Sequence, residues 1–168
     1  MDRFIKYHNK FDDFLVMIAA GSIFLMMILI FSDVLLRNLF NSPIIGTVEI
    51  TGEYLMAIIV YFSISYTLKE RGHVSVDLLK DKVSLGWSKF FGIVTNLLAI
   101  IAFVALGIAN FGMGMDYFSN GITSRGLLDY PLWPALMIIS LGLLSFCVRL
   151  LIDSINILRN KNDQYTQE

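Results

Sequence analysis

Ionisable side chains beside long apolar runs are expensive to place in a membrane, so they are the first residues to test for chemistry. Four of them stand close together in this sequence: Asp33, Arg37, Glu49 and Glu53. Asp33 and Arg37 are four apart, as are Glu49 and Glu53, so on a helix each pair shares one face and the two pairs can meet across the short connection between them. Such a cluster has two chemical uses. Paired with one another, the four groups form a structural clasp; with a carboxylate left uncompensated, Glu53 becomes a site for proton or cation coupling. Other chemistries lack their residues. Ligation of haem iron within a bundle needs histidines inside the spans, and the two present, His8 and His73, lie outside the apolar runs. The single cysteine, Cys147, has no partner for disulfide exchange. No His/Asp/Glu set has metal-ligand spacing and no serine sits in a nucleophile elbow. The expectation is a protein that is not an enzyme and holds no cofactor or metal.

The elements that must position these residues follow from composition. Of 168 residues, 56% are hydrophobic and 16% are charged, with mean hydropathy +0.67; soluble proteins carry about 25% charged residues. Uncharged runs extend from Phe14 to Ser32, Tyr54 to Leu68, Phe90 to Met115 and Tyr130 to Val148. Each approaches or exceeds the roughly 20 residues that cross a hydrocarbon core about 30 Å thick. The fold class expected is all-α, an integral membrane protein with four transmembrane helices at about 13–36, 48–69, 89–111 and 132–153, in a single domain covering 1–168 with a polar tail at 160–168. A soluble enzyme, a nucleic-acid binder and a disordered linker are excluded. The first run is too long for the apolar segment of a secretory signal and no small-residue cleavage site follows it, so it reads as a retained helix.

Of the 13 Lys and Arg, only Arg37 and Arg125 fall on the side opposite the N-terminus, which places both termini in the cytoplasm. Between the second and third spans, Val76, Leu79, Val83, Trp87 and Phe90 recur at helical spacing with Asp77, Lys80, Asp81 and Lys82 between them. This segment, about 76–88, reads as an amphipathic helix in the membrane interface with Trp87 at headgroup depth. On the outer side, Gly112, Gly114, Gly121 and Gly126 make 111–130 a turn-rich stretch whose Tyr117, Phe118, Tyr130 and Trp133 suit either an aromatic belt or a protein contact. Small residues Ala102, Ala105, Ala109 and Gly112 in the third helix, with Ser140 and Gly142 in the fourth, allow close helix approach.

Three stretches together carry a resemblance. Arg37, Phe40, Pro43, Gly46 and Glu49 form the run R-x2-F-x2-P-x2-G-x2-E; residues Gly72-His73-Val74-Ser75-Val76-Asp77-Leu78-Leu79 follow the second span; Tyr130-Pro131-Leu132-Trp133-Pro134 opens the fourth. In this order they resemble the small membrane subunit, the DctQ type, of tripartite ATP-independent periplasmic transporters. The second stretch is the most specific. One departure is Tyr61, where many relatives carry a tryptophan.

The resemblance implies a bacterial inner-membrane system. A periplasmic binding protein captures an organic acid, such as a dicarboxylate, another carboxylate or a sialic acid. A large multi-span permease subunit then moves it inward with sodium while the small subunit serves as scaffold. It also implies roles for residues. Asp77 or Ser75 caps the amphipathic helix with His73 turning the chain into it; Arg37 and Glu49 become a hairpin clasp or a contact with the large subunit. Asp116, Arg125 and Asp129 become a dock for the binding protein, and Trp87 and Trp133 anchor the interfaces. Expected partners are thus the large subunit, the binding protein and membrane lipid, with no nucleic acid. The alternative from another class is a self-sufficient small proton-coupled exporter acting as a homodimer, with Glu53 as its cargo site.

Overall fold

The computed structural model describes residues 2–70, 85–124 and 128–159. Helix α1 spans Asp2–Phe40, α2 spans Thr47–Lys69, α3 spans Leu85–Asn120 and α4 spans Trp133–Arg159. All four are long and apolar enough to cross a membrane.

Three helices run further than hydropathy alone indicated. Helix α1 begins near the N-terminus instead of at residue 13, because nothing in residues 2–13 breaks a helix. At 1.5 Å per residue its 39 residues reach about 58 Å, well beyond the bilayer core. It stops at Asn41, which takes a left-handed conformation (φ 54°) that asparagine tolerates, two residues ahead of Pro43. Helix α3 continues through Gly112 and Gly114 to Asn120, past the end expected at residue 111. It ends where Gly121 turns left-handed (φ 61°) and the amide of Ile122 donates to the carbonyl of Tyr117 at 3.0 Å, the bond pattern of a glycine-terminated helix. Helix α4 runs on past residue 153 to Arg159.

Helix α2 has an internal irregularity. Residues Ile50–Leu55 form a π-helical segment between the opening turn Thr47–Glu49 and the α-helical remainder Met56–Lys69. A π segment winds more residues per turn than an α-helix and is frequently found at functional positions.

The helices pack as an open row in the order α1, α2, α4, α3. Helix α2 packs on both α1 and α4, and α4 carries α3 on its far side. Leu15 and Ala19 of α1 bury against Phe62 of α2, with Ile138 of α4 alongside. Gly142 of α4 lies directly against the backbone of α2 at Tyr61. A Cβ there would stand 2.3 Å from the carbonyl oxygen of Tyr61, so this position accepts no side chain without moving a backbone. Between α3 and α4, Phe103 meets Phe146 edge to face (5.0 Å, 90°) and Ser140 donates to the carbonyl of Gly107 at 3.3 Å. The small-residue stripe of α3 does not take part in this contact. Ala102, Ala105, Ala109 and Gly112 are exposed, because the face of α3 turned to α4 is the one bearing Phe103, Gly107 and Gly114.

Candidate functional site

Polar side chains gather at the two ends of the helix row. At the end holding the α1–α2 hairpin, Arg37 donates to Asp33 across one helical turn at 2.9 Å. The other carboxylate oxygen of Asp33 accepts the backbone amide of Ile44 at 2.8 Å, eleven residues on. Asp33 is buried whereas Arg37 is mostly exposed, so the carboxylate is the structural member of the pair. It holds the turn against α1 by capping a backbone donor that the loop would otherwise bury unpaired.

Glu49 and Glu53 do not repeat this arrangement. The π segment begins immediately after Glu49, and the carboxylates of Glu49 and Glu53 both act on the Tyr130 phenol. Glu49 turns back toward Gly46, one of its oxygens 3.4 Å from where a Cβ on Gly46 would stand. Gly46 has φ 88°, and Leu128 fills the space beside it so closely that a Cβ would overlap the leucine. Glu53 is exposed and faces α3 and α4. Asp33 and Arg37 close the hairpin, while Glu49 and Glu53 both act on Tyr130 and Glu53 also lines the side of α2 turned to α3 and α4.

Aromatic residues seal the same end. The Tyr54 hydroxyl donates to the carbonyl of Pro131, and its ring stands 5.5 Å from that of Tyr130. Phe118 packs edge to face on Trp133 at 5.2 Å. The segment between α3 and α4 folds back on itself, with Thr123 bridging Pro131 and the Ser124 amide donating to the Tyr130 carbonyl at 2.8 Å. Burial raises the Tyr130 phenol above its ordinary value; Ser124 opposes that shift, and the carboxylates of Glu53 and Glu49 reinforce it. Asp116 lies on α3 itself, one turn before its end, with its carbonyl accepting from the Asn120 amide at 2.9 Å. Asp129 is exposed beside Tyr130.

Beside Glu53, residues of α2, α3 and α4 line a groove of about 500 Å³. Met56 and Val60 of α2, Met113 and Tyr117 of α3, and Leu136 of α4 form its walls, and Glu53 stands at its mouth.

The opposite end holds a cross-helix polar network that sequence reasoning did not single out. Asp12 of α1 is fully buried and accepts from the Ser145 hydroxyl of α4 at 3.0 Å. Its other oxygen lies 3.0 Å from Nδ1 of His8, although not aligned for a hydrogen bond. Ser65 of α2, also fully buried, points to the Ser145 carbonyl at 3.5 Å. Around this core Arg149 donates to Asn9 at 2.6 Å, Lys69 pairs with Asp13 at 2.5 Å, and Asn96 of α3 donates to Asp153 at 3.0 Å and to Ser154 at 3.2 Å. All four helices are tied in. The signal available in the sequence was the spacing of His8, Asn9 and Asp12 on one helical face, together with isolated serines in otherwise apolar runs. Among the described residues no three His, Cys, Asp or Glu side chains are grouped as a metal site would require.

His73, Ser75, Asp77 and Arg125 lie outside the described residues, as does most of the amphipathic segment at 76–88. Trp87 falls in the first turn of α3.

Four membrane-length helices with irregular backbone confined to their ends define a small helical membrane protein. Residues 26–160 match the family described as tripartite ATP-independent periplasmic transporters, DctQ component. The chain belongs to that family: it is a small permease subunit of the inner membrane, from a family of transporter subunits and not of enzymes. No curated protein and no solved structure matches it.

Proposed function

We propose that this chain is the fixed membrane frame for a large multi-span permease subunit that carries an organic acid inward with sodium, the cargo being delivered by a periplasmic binding protein. The observation that supports this reading best is the use of the buried polar groups. Asp12, Ser65 and Ser145 bond helix to helix at one end, and Asp33 bonds a turn to its helix at the other. Transporters hold cargo near the midplane on broken helices and unpaired polar groups; here buried polarity is spent on rigidity. Within this reading the hairpin locked by Asp33 and Arg37, with Glu49 behind it, presents a rigid contact at the outer surface. Asp116, Arg125 and Asp129 contribute to a dock for the binding protein, while His73, Ser75 and Asp77 shape the turn after α2.

The test is purification in mild detergent from cells that also express the large subunit. Co-elution of the two, with uptake in vesicles requiring both, is the expected result. Uptake or export by this chain alone, abolished by Glu53→Gln while its assembly stays intact, would show instead a self-sufficient proton-coupled carrier.

A further inference from the structure

The groove beneath Glu53 lies in the part of the molecule that the membrane surrounds. Glu53 immediately precedes the uncharged run of α2, at headgroup depth, and the α2 wall continues from there to Tyr61. Eight residues at 1.5 Å each make that wall about 12 Å deep, close to the half-thickness of a hydrocarbon core of about 30 Å. The walls are mostly apolar, and the groove is open, with Met56 of α2 and Met113 of α3 exposed along it. Its depth is therefore that of a single leaflet, its lining is that of an acyl-chain site, and a carboxylate marks the headgroup end.

Charge at that end narrows the headgroup. By sequence the outer segments carry Asp33, Glu49, Glu53, Asp116 and Asp129 against Arg37 and Arg125, and Arg37 is already paired with Asp33. A net negative rim repels an anionic phospholipid and attracts one whose headgroup ends in an ammonium.

We propose that the groove binds one acyl chain of an outer-leaflet phospholipid with a primary-ammonium headgroup, of the phosphatidylethanolamine class, and that Glu53 holds the ammonium. This inference rests on the membrane placement of the chain and not on its role in transport. The lipid fills the cleft between α2 and α3 and so completes a surface that the protein's own side chains leave open.

The experiment measures the phospholipid retained by the small and large subunits purified together in mild detergent, using mass spectrometry to compare phosphatidylethanolamine with phosphatidylglycerol. The wild-type complex is expected to hold phosphatidylethanolamine at about fivefold over its ratio in the source membrane, equivalent to roughly 1 kcal/mol of selectivity. Glu53→Gln keeps the shape of the site and should return the ratio to that of the membrane. Gly52→Phe should expel the retained lipid, since no atom lies within 4 Å of a Cβ at Gly52 and the ring is free to enter the mouth of the groove. Circular dichroism and elution volume verify that both variants fold. A wild-type ratio equal to that of the membrane overturns the proposal, as does a ratio indifferent to Glu53→Gln. It is overturned equally if a photo-crosslinker at Met113 captures the large subunit instead of phospholipid. Each of these readouts is independent of uptake, so a failed lipid site and a failed scaffold reading are told apart.

Discussion

The two ends of the helix row are held together in different ways. At the end bearing the N-terminus the contacts join residues far apart in sequence: Asp12 with Ser145, Asn9 with Arg149, Asp13 with Lys69, and Asn96 with Asp153. At the other end the ionic contacts are local, Asp33 with Arg37 and with the amide of Ile44, and the long-range closure is aromatic, through Tyr54 with Tyr130 and Phe118 with Trp133. The difference follows the charge distribution. Where Lys and Arg concentrate, Lys69 and Arg149 reach Asp13 and Asn9 on a neighbouring helix; where they are scarce, Asp33 pairs within its own turn and Glu53 remains exposed.

The sharpest way to break this contrast is Asp12→Ala. It strips Ser145 of its acceptor and removes the anion beside His8 in a fully buried setting, and a loss of about 3–5 kcal/mol is expected in denaturant unfolding of the detergent-solubilised protein. A loss below 1 kcal/mol would mean that the inner network does not clamp the helices. Next comes Gly142→Val, which drives a side chain into the backbone of Tyr61; overpacking of this kind costs about 2 kcal/mol or more, and cysteine crosslinking between α2 and α4 should show the helices pushed apart. Asp33→Ala leaves the Ile44 amide without its acceptor and should cost about 1–3 kcal/mol. Arg37→Ala, measured in the same series, should cost under about 1 kcal/mol because the guanidinium is largely exposed and screened. Equal effects of the two would mean that the ion pair, and not the capped amide, closes the hairpin.

The smallest effect concerns Tyr130. Its phenol is raised by burial, so the folded state holds the proton more tightly than the unfolded chain. The resulting stability is fully present below the ordinary value near 10 and disappears as pH rises through the higher folded value. Ultraviolet titration against Tyr130→Phe should show one phenolate appearing later than the exposed tyrosines.

Much of this fold was legible because membrane spans announce themselves locally. Four uncharged runs fix four helices whatever surrounds them, and the limits of α2 at Thr47 and Lys69 fell within a residue of the expected ones. The ends of α1, α3 and α4 were less legible, since hydropathy stops at the membrane surface whereas a helix stops only at a breaker such as Asn41 or Gly121. The candidate site was legible in part. Spacing identified Asp33 with Arg37, which the structure joins, whereas the π winding of Ile50–Leu55 is announced by no residue spacing. The stripe of Ala102, Ala105, Ala109 and Gly112, whose spacing allows close helix approach, is exposed and takes no part in the contact of α3 with α4. Nothing in the spacing of small residues says which side of a helix has a neighbour.

By itself, then, the sequence determined that this chain lies in a membrane, how many times it crosses, and which family it joins. These properties depend on local composition and on short motifs. Only the tertiary structure decided that the helices lie in the order α1, α2, α4, α3, that Asp12 is clamped between helices while Glu53 is left at the mouth of a groove, and that α3 turns its small residues outward. The physical reason is that lipid solvates every apolar helix face about equally. The choice among faces is then made by a few close contacts, such as Gly142 against Tyr61 and Ser145 against Asp12, between residues that the sequence keeps far apart.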